Sequence, residues 1–171
     1  MIKRILLFIF AAMFALSLTA CGQSEDGAAV GTQKVDGWSV SVRRCEIAED
    51  LSTTQSAVQY GGESVSYDVS EKPQEGNVFV LIEMVIEKEG TGASKFLWDN
   101  AYVEDAQGTR YSRHTNDTFL RSFNLLRIKS TDLVLGKNEG FVCYELPSDA
   151  AKGDLYFVYE TDDESVKMQI Q

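Results

Sequence analysis

His114 is the one histidine in this 171-residue chain. A Ser-His-Asp hydrolase would need it as the general base that takes the proton from a serine. The strained G-x-S-x-G turn that presents such a serine is absent. Flanked by Arg113 and Thr115, His114 reads instead as a loop residue. A zinc site needs three or four clustered ligands, and His114 with Asp117 offers two. Carboxylates are plentiful at Glu104-Asp105, at Asp162-Asp163-Glu164 and at Glu46, Glu49 and Asp50. Calcium prefers such oxygen ligands, but the D-x-D-x-D-G spacing of a calcium loop is missing. No spacing selects a pair of glycosidase carboxylates either. The residues therefore assign no catalytic group, no metal and no cofactor.

The cations are distributed more tellingly. Between Arg110 and Lys129 lie five basic residues, Arg110, Arg113, Arg121, Arg127 and Lys129, and one acid, Asp117. Phe119, Leu120, Phe123, Leu125 and Leu126 are interleaved with them. Arginine mixed with aromatic side chains is the composition of interaction surfaces. Arg110, Arg113, Arg121, Arg127 and Lys129 with Phe119 and Phe123 are thus the expected partner-binding residues, facing an anionic wall polymer or a surface protein. The competing reading buries the apolar residues in a core and pairs the arginines with nearby acids.

The thiols address location. Lys3 and Arg4 precede twelve apolar residues, Ile5 to Leu16, and the run ends at Cys21. That order is the order of a secretory signal peptide, and the run is too short to cross ~30 Å of hydrocarbon as a helix. Leu18-Thr19-Ala20-Cys21 resembles the bacterial lipobox. The resemblance implies a diacylglyceryl group on the Cys21 sulfur, cleavage before Cys21, and a chain held on the extracytoplasmic face of the cell membrane. Two acyl chains suffice for stable attachment, at about 0.8 kcal/mol per buried CH₂. Without residues 1–20, the 16 basic residues fall to 14 against 26 acidic ones, a net charge of −12. So acidic a chain is ill suited to nucleic acid, where lysine and arginine must displace counterions. Cys45 and Cys143 remain, and an oxidising compartment allows a disulfide between them or two separate buried thiols.

The elements that must position these residues read as strands. Residues 22–35 are small and polar and form, with lipidated Cys21, a flexible tether over 21–35. Residues 36–171 then suit one domain. In "DGWSVSV", Trp38, Val40 and Val42 share one face, whereas Cys45 and Ile47 have the other parity. A one-residue bulge near Arg43-Arg44 reconciles the two and turns Cys45 inward. "NVFVLIEMVIE" is apolar on one face and nearly so on the other, the mark of a central strand. "YVEDAQGTRYS" reads as a hairpin turning at Gln107-Gly108, and "DLVL", "GFVCYELP", "DLYFVYE" and "VKMQI" as further strands. Residues 48–76 read as a loop holding one edge strand around Val65. Phe119, Leu120, Phe123 and Leu126 have helical spacing behind a capping Asp117, giving a short helix or an irregular strand. The sum is an all-β antiparallel sandwich with room for one short helix.

Three stretches, "EGNVFVLIEMVIEKEG", "VEDAQGTRY" and "LVLGKNEGFVCYELPSDAAKGDLYFVYE", resemble bacterial lipoproteins carrying an immunoglobulin-like domain of unknown function. That family belongs to the immunoprotective extracellular, immunoglobulin-like superfamily. The shared features are the E-G-N strand entry, Asp-x-x-Gly-x-x-Tyr, Leu-x-x-Gly, and Leu-Pro followed by apolar-Tyr-Glu. Where the family often carries Pro-Gly-Glu, this chain has Gly136-Lys137-Asn138-Glu139. The resemblance implies an immunoglobulin-like sandwich on a cell surface and transfers no catalytic residue. The expected function is a lipid-anchored extracellular binding module without catalysis. The alternatives are a small cell-surface hydrolase, or a structural or antigenic coat lipoprotein.

Overall fold

The computed structural model describes residues 31–58, 61–92 and 94–171. The signal segment 1–20, Cys21 and the tether as far as residue 30 lie outside them. Val78, Val80, Ile82, Met84 and Ile86 point to one side of β5 (Asn77–Lys88) and are buried in the main core. Phe79 and Leu81 point to the other side and join Leu120, Phe141 and Cys143 in a second buried cluster. A strand apolar on both faces must be covered on both, and β5 is central in its sheet as its sequence requires.

Two antiparallel four-stranded sheets face each other. The first runs β1 (Gly31–Val35), β2 (Trp38–Ala48), β5, β8 (Lys137–Pro147). The second runs β10 (Ser165–Gln169), β9 (Leu155–Glu160), β6 (Ala101–Asp105), β7 (Arg110–Ser112). Between them lie Trp38, Val40, Val42, Tyr144, Leu146, Phe157 and Tyr159, all at 0% exposure. The chain is thus the expected antiparallel β-sandwich. Its strand order has a further regularity. Read in chain order from β2 and omitting β3 and β4, it gives A-B-E in one sheet and D-C-F-G in the other, an immunoglobulin-like arrangement in which the fourth strand pairs beside C instead of E, with β1 added beside the first strand.

β2 carries the bulge its parity demands: Val42 pairs with Met84, and after the shift Arg44 pairs with Glu83 and Cys45 with Ile82. Cys45 therefore turns inward. Cys143 does not, because it pairs with Leu81 on the other side of β5. The two thiols lie on opposite faces of one sheet with a whole strand between them, roughly 10 Å of lateral spacing. A disulfide needs Cα atoms within about 7 Å and side chains that face each other. Both cysteines are free, which corrects the disulfide. Burial pushes the Cys45 thiol up to about 12, with Glu46 adding to the effect, and burial likewise raises Cys143.

Three further expectations are corrected. The tether does not extend to residue 35, because Gly31–Val35 pairs with β2 along its whole length. "DLVL" makes only a single bridge between Phe96 and Leu133, and Val134 and Leu135 are exposed. Residues 48–76 hold two strands, β3 (Leu51–Val58) and β4 (Ser64–Glu71), paired in register as a separate ribbon. Serine and threonine rank as loop formers by polarity, but alternating Thr53, Gln55, Val65, Tyr67 and Val69 suit a pleated ribbon. The helical spacing at 119–126 becomes a 3₁₀ segment, Asp117–Phe123, closed by Asn124 in the left-handed region at φ 58°. It packs Leu120 and Phe119 on the second cluster and so covers the outer face of the first sheet.

Candidate functional site

The hairpin from β6 to β7 is built around one carboxylate. Asp105 accepts hydrogen bonds from the backbone N–H of Gln107 (2.9 Å) and Thr109 (2.8 Å) and from the Tyr111 hydroxyl (2.9 Å). Gly108, at φ 82°, closes the turn onto the Asp105 carbonyl. Burial alone would raise the Asp105 pKa; the hydrogen bonds from Thr109, Tyr111 and Gln107 outweigh it and hold the carboxyl below its ordinary value. Asp-x-x-Gly-x-x-Tyr is therefore a folding motif. Its consequence is that Arg110 and Ser112 are delivered at a fixed sheet edge, since β7 is the last strand of its sheet.

A second carboxylate organises the chain beyond β7. Asp117 has no exposed surface. One of its oxygens accepts from Arg113 Nε (3.2 Å) and Nη2 (2.6 Å), and the other accepts from Arg127 Nη1 (2.6 Å). Arg113 also donates to the carbonyls of Lys129 (3.0 Å) and Ile128 (2.7 Å). This network ties the chain at 127–130 to the end of β7. Asp117 is thus not the helix cap its position suggests; the 3₁₀ segment has no side-chain cap. Trp98 supplies the opposite wall, backed by aromatic rings of the main core. Phe96 stacks on Tyr159 with centroids 4.1 Å apart, and Trp98 meets Phe96 edge-on at 5.2 Å. The Arg113 guanidinium lies 4.1 Å from the centre of a Trp98 ring. The indole N–H donates to the Thr131 carbonyl at 3.2 Å.

Between these walls lies a cleft of about 540 Å³ lined by Trp98, Asp99, Ser112, Arg113, Thr115 and Ser130. A shallower extension of about 280 Å³ shares Asp99 and Ser112 and adds Asn100, Tyr102, Arg110 and Glu160. Ser112, Thr115 and Ser130 are exposed, and their hydroxyls make no hydrogen bond among the described residues; neither does the Asp99 carboxylate. The charges around them are matched. Arg113 is answered by Asp117, and Arg110 lies 3.0 Å from Glu160 and 3.6 Å from Glu104 while its guanidinium covers the Tyr102 ring. Burial, reinforced by its hydrogen bond to Glu160, raises the Tyr102 phenol to about 12, so it stays a neutral donor. The cleft is polar and close to neutral.

This geometry redraws the expected partner-binding set. Arg113 is 8% exposed and Arg127 mostly covered, so both act inside the fold. Phe119 and Phe123 are half-buried, and Phe119 packs on the second cluster. Arg121 and Lys129 are exposed but line neither cleft. Only Arg110 and Arg113 of the seven residues reach the site. Trp98, Asp99, Ser112, Thr115 and Ser130 escaped sequence reasoning. They come from separate stretches, with no shared spacing to connect them.

His114 lies elsewhere. Arg113 bridges Tyr144 in extended backbone, so successive side chains point to opposite sides. The imidazole sits edge-on to Phe79 and Phe119, with Nε2 3.5 Å from Glu145. Glu145 in turn accepts from the Gln74 N–H and the Asn77 amide, each at 2.8 Å. Glu164 of the acidic run accepts from the Asp36 N–H at 2.7 Å. Among the described residues no group of three or more His, Cys, Asp or Glu side chains could hold a metal ion. No described helix is long and apolar enough to cross a membrane.

The fold has solved counterparts at low sequence identity. A conserved hypothetical protein from Bacillus anthracis superposes with a TM-score of 0.52 at 15% identity, over 84% of this chain and 94% of its own. A functionally unknown protein from Listeria monocytogenes gives 0.50 at 8% identity, over 85% of this chain and 84% of its own. A candidate lipoprotein from Bacillus subtilis gives 0.50 at 7% identity, with 82% of this chain matching 38% of that larger one. Identities this low establish the shared sandwich and nothing finer. No protein-family model matches the sequence, and neither does any curated protein.

Proposed function

We propose that this chain is a lipid-anchored, extracytoplasmic, non-catalytic binding module of the immunoglobulin-like lipoprotein kind. Its ligand is a neutral, polyhydroxylated stretch of a cell-wall polymer, taken into the cleft at the β7 edge. The observation that carries the reading is the set of free hydroxyls and one free carboxylate, at Ser112, Thr115, Ser130 and Asp99, held around a buried Arg113–Trp98 stack. Such a site offers both donors and acceptors at fixed positions and little net charge. That is the complement of a sugar chain and a poor match to a polyanion. The lipobox-like stretch ending at Cys21 supports that location, and one structural counterpart is itself described as a candidate lipoprotein. A surface hydrolase would need His114 in the cleft, whereas its ring packs edge-on against Phe79 and Phe119. A coat protein would have no use for the cleft.

Full-length protein, extracted from bacterial membranes in mild detergent, should co-sediment with wall sacculi stripped of their anionic polymers. Ser112→Phe, which fills the cleft from an exposed position, should weaken binding by at least about tenfold. Radiolabelled palmitate should enter the wild type and not Cys21→Ala. Binding only to the anionic polymers, or equal binding by Ser112→Phe, would return the ligand question to the start.

A further inference from the structure

The short 3₁₀ turn Trp98–Asn100 also borders a depression distinct from the cleft. It measures about 570 Å³ and opens where the β1–β2 and β9–β10 turns meet, at one end of the sandwich. Tyr159 lines it at 0% exposure, with its hydroxyl accepting from the Leu97 N–H at 3.1 Å. Around it stand Asp36, Lys95, Leu97, Asn100 and Asp162. The framework that holds them is fixed. Asp36-Gly37 is the two-residue loop between paired Val35 and Trp38, and both residues have positive φ, 47° and 73°. That loop matches the twist of a hairpin, and aspartate-glycine favours it. The Asp36 N–H donates to the Glu164 carboxylate at 2.7 Å, and the Asp36 carbonyl accepts from the Ser94 hydroxyl at 2.8 Å. Lys88 donates to that same hydroxyl at 2.8 Å. In the facing turn, the Thr161 hydroxyl donates to the Glu164 carbonyl at 3.0 Å and accepts from the Glu164 N–H at 3.1 Å.

The charges presented on this framework are unanswered. Among the described residues the Asp36 and Asp162 carboxylates and the Lys95 ammonium make no hydrogen bond and no ion pair. In the shallow extension of the cleft, by contrast, Arg110 is paired with Glu160 and Glu104. Burial raises the Tyr159 phenol above its ordinary value; the Leu97 N–H opposes this and the Asp36 charge reinforces it, so that carboxylate stands close to a neutral hydroxyl. Such a set is selective. A polyanion is repelled by Asp36 and Asp162, and a bare cation by Lys95. A plain sugar displaces water from all three and gives them no counterion. A group with both an ammonium and a carboxylate meets them all, and Leu97, 38% exposed, offers surface to a small apolar side chain. The depression is also joined to the cleft. Asn100 lines both it and the shallow extension, while Asp99 and Ser112 line both the extension and the cleft. We propose that it is a second subsite, taking a short peptide with a free ammonium and a free carboxylate, attached to the sugar chain held in the cleft. The attachment rests on the sugar reading of the cleft; recognition of the peptide rests on Asp36, Lys95 and Asp162 alone.

Isothermal titration of the full-length protein in mild detergent separates the two. The probes are a wall disaccharide bearing its peptide, the bare disaccharide, the free peptide, and the peptide-bearing disaccharide with its amine acetylated and its carboxylate amidated. The peptide-bearing disaccharide should bind at least about tenfold tighter than the bare one, because linked subsites act together. Acetylation and amidation should abolish that gain. Lys95→Met and Asp36→Asn should each cut it by at least about threefold and leave affinity for the bare disaccharide unchanged. Asparagine tolerates positive φ, so Asp36→Asn should keep the hairpin and the melting temperature of the wild type. Equal binding of the peptide-bearing and bare disaccharides overturns the proposal, as does a gain that survives both the blocking groups and the substitutions. If the bare disaccharide binds, Ser112→Phe weakens it and the peptide adds nothing, the sugar reading stands and this subsite falls. If the free peptide binds through Lys95 and the bare disaccharide does not bind, the sugar reading falls and the peptide subsite stands. Binding by none of the probes removes both.

Discussion

The segment 110–129 and the β3–β4 ribbon are both conspicuously polar in the sequence, and the fold treats them in opposite ways. The first is rich in cations, yet its arginines at 113 and 127 are drawn inside around Asp117, which has no exposed surface. The second is uncharged along β3 and stands outside both sheets. One is locked to the sandwich by ion pairs and the second apolar cluster. The other is held by its own ladder, by Leu51 at its base and by the bond from Gln55 to Ser122. A charged side chain is not thereby a surface side chain. An arginine can be buried when a carboxylate and backbone carbonyls together satisfy its donors. A serine-rich strand with nothing to bury stays outside.

Disrupting the first region should have the largest effect. Asp117→Ala leaves Arg113 and Arg127 buried without a counterion, which should destabilise the protein by about 3–5 kcal/mol in denaturant unfolding. A loss under roughly 1 kcal/mol would mean that the triad is not what fixes the segment. Next comes Gly140, at φ 137°, where an added Cβ would run into the carbonyl of Leu126. Gly140→Ala should cost at least about 1–3 kcal/mol from backbone strain alone and should loosen residues 126–128 in hydrogen exchange. The ribbon should respond far less. Gln55→Ala should lower stability by only about 0.5–1.5 kcal/mol, the worth of an ordinary hydrogen bond, while freeing the β3–β4 amides to exchange faster. If Gln55→Ala equals Asp117→Ala, the two regions do not differ as described.

A pH series separates the two regions from the hairpin side. The Asp105 carboxyl titrates below its ordinary value when folded. The stability it contributes is complete above the unfolded pKa near ~3.9 and disappears as the pH falls through the lower folded value. Asp105→Asn should therefore flatten the acid limb of the stability curve measured by thermal melting below about pH 4. An unaltered acid limb in Asp105→Asn would show that other carboxylates dominate it.

Much of the sandwich was legible because strand burial is written locally. The two apolar faces of β5, the parity slip in β2 and the turn at Gly108 each follow from neighbouring residues and the two-residue period of a strand. The ribbon was only half legible, because its alternation is carried by threonine, glutamine and tyrosine in place of strong apolar residues. The cleft was hardly legible at all. Trp98, Ser112 and Ser130 have no common spacing, and their meeting depends on Arg113 reaching the carbonyls at 128 and 129. Inward parity at Cys45 was correctly readable, yet it could not reveal that Cys143 faces the other way across β5.

Local order along the chain was enough to dictate most of the strands, which side of each is apolar, and the acidity of the chain, because each is a property of composition or of residues a few positions apart. Which charges are buried, which thiols cannot meet and where a cleft opens were settled only when the sheets came together. Those outcomes depend on the register between strands distant in the chain, and register is set by packing summed over both sheets.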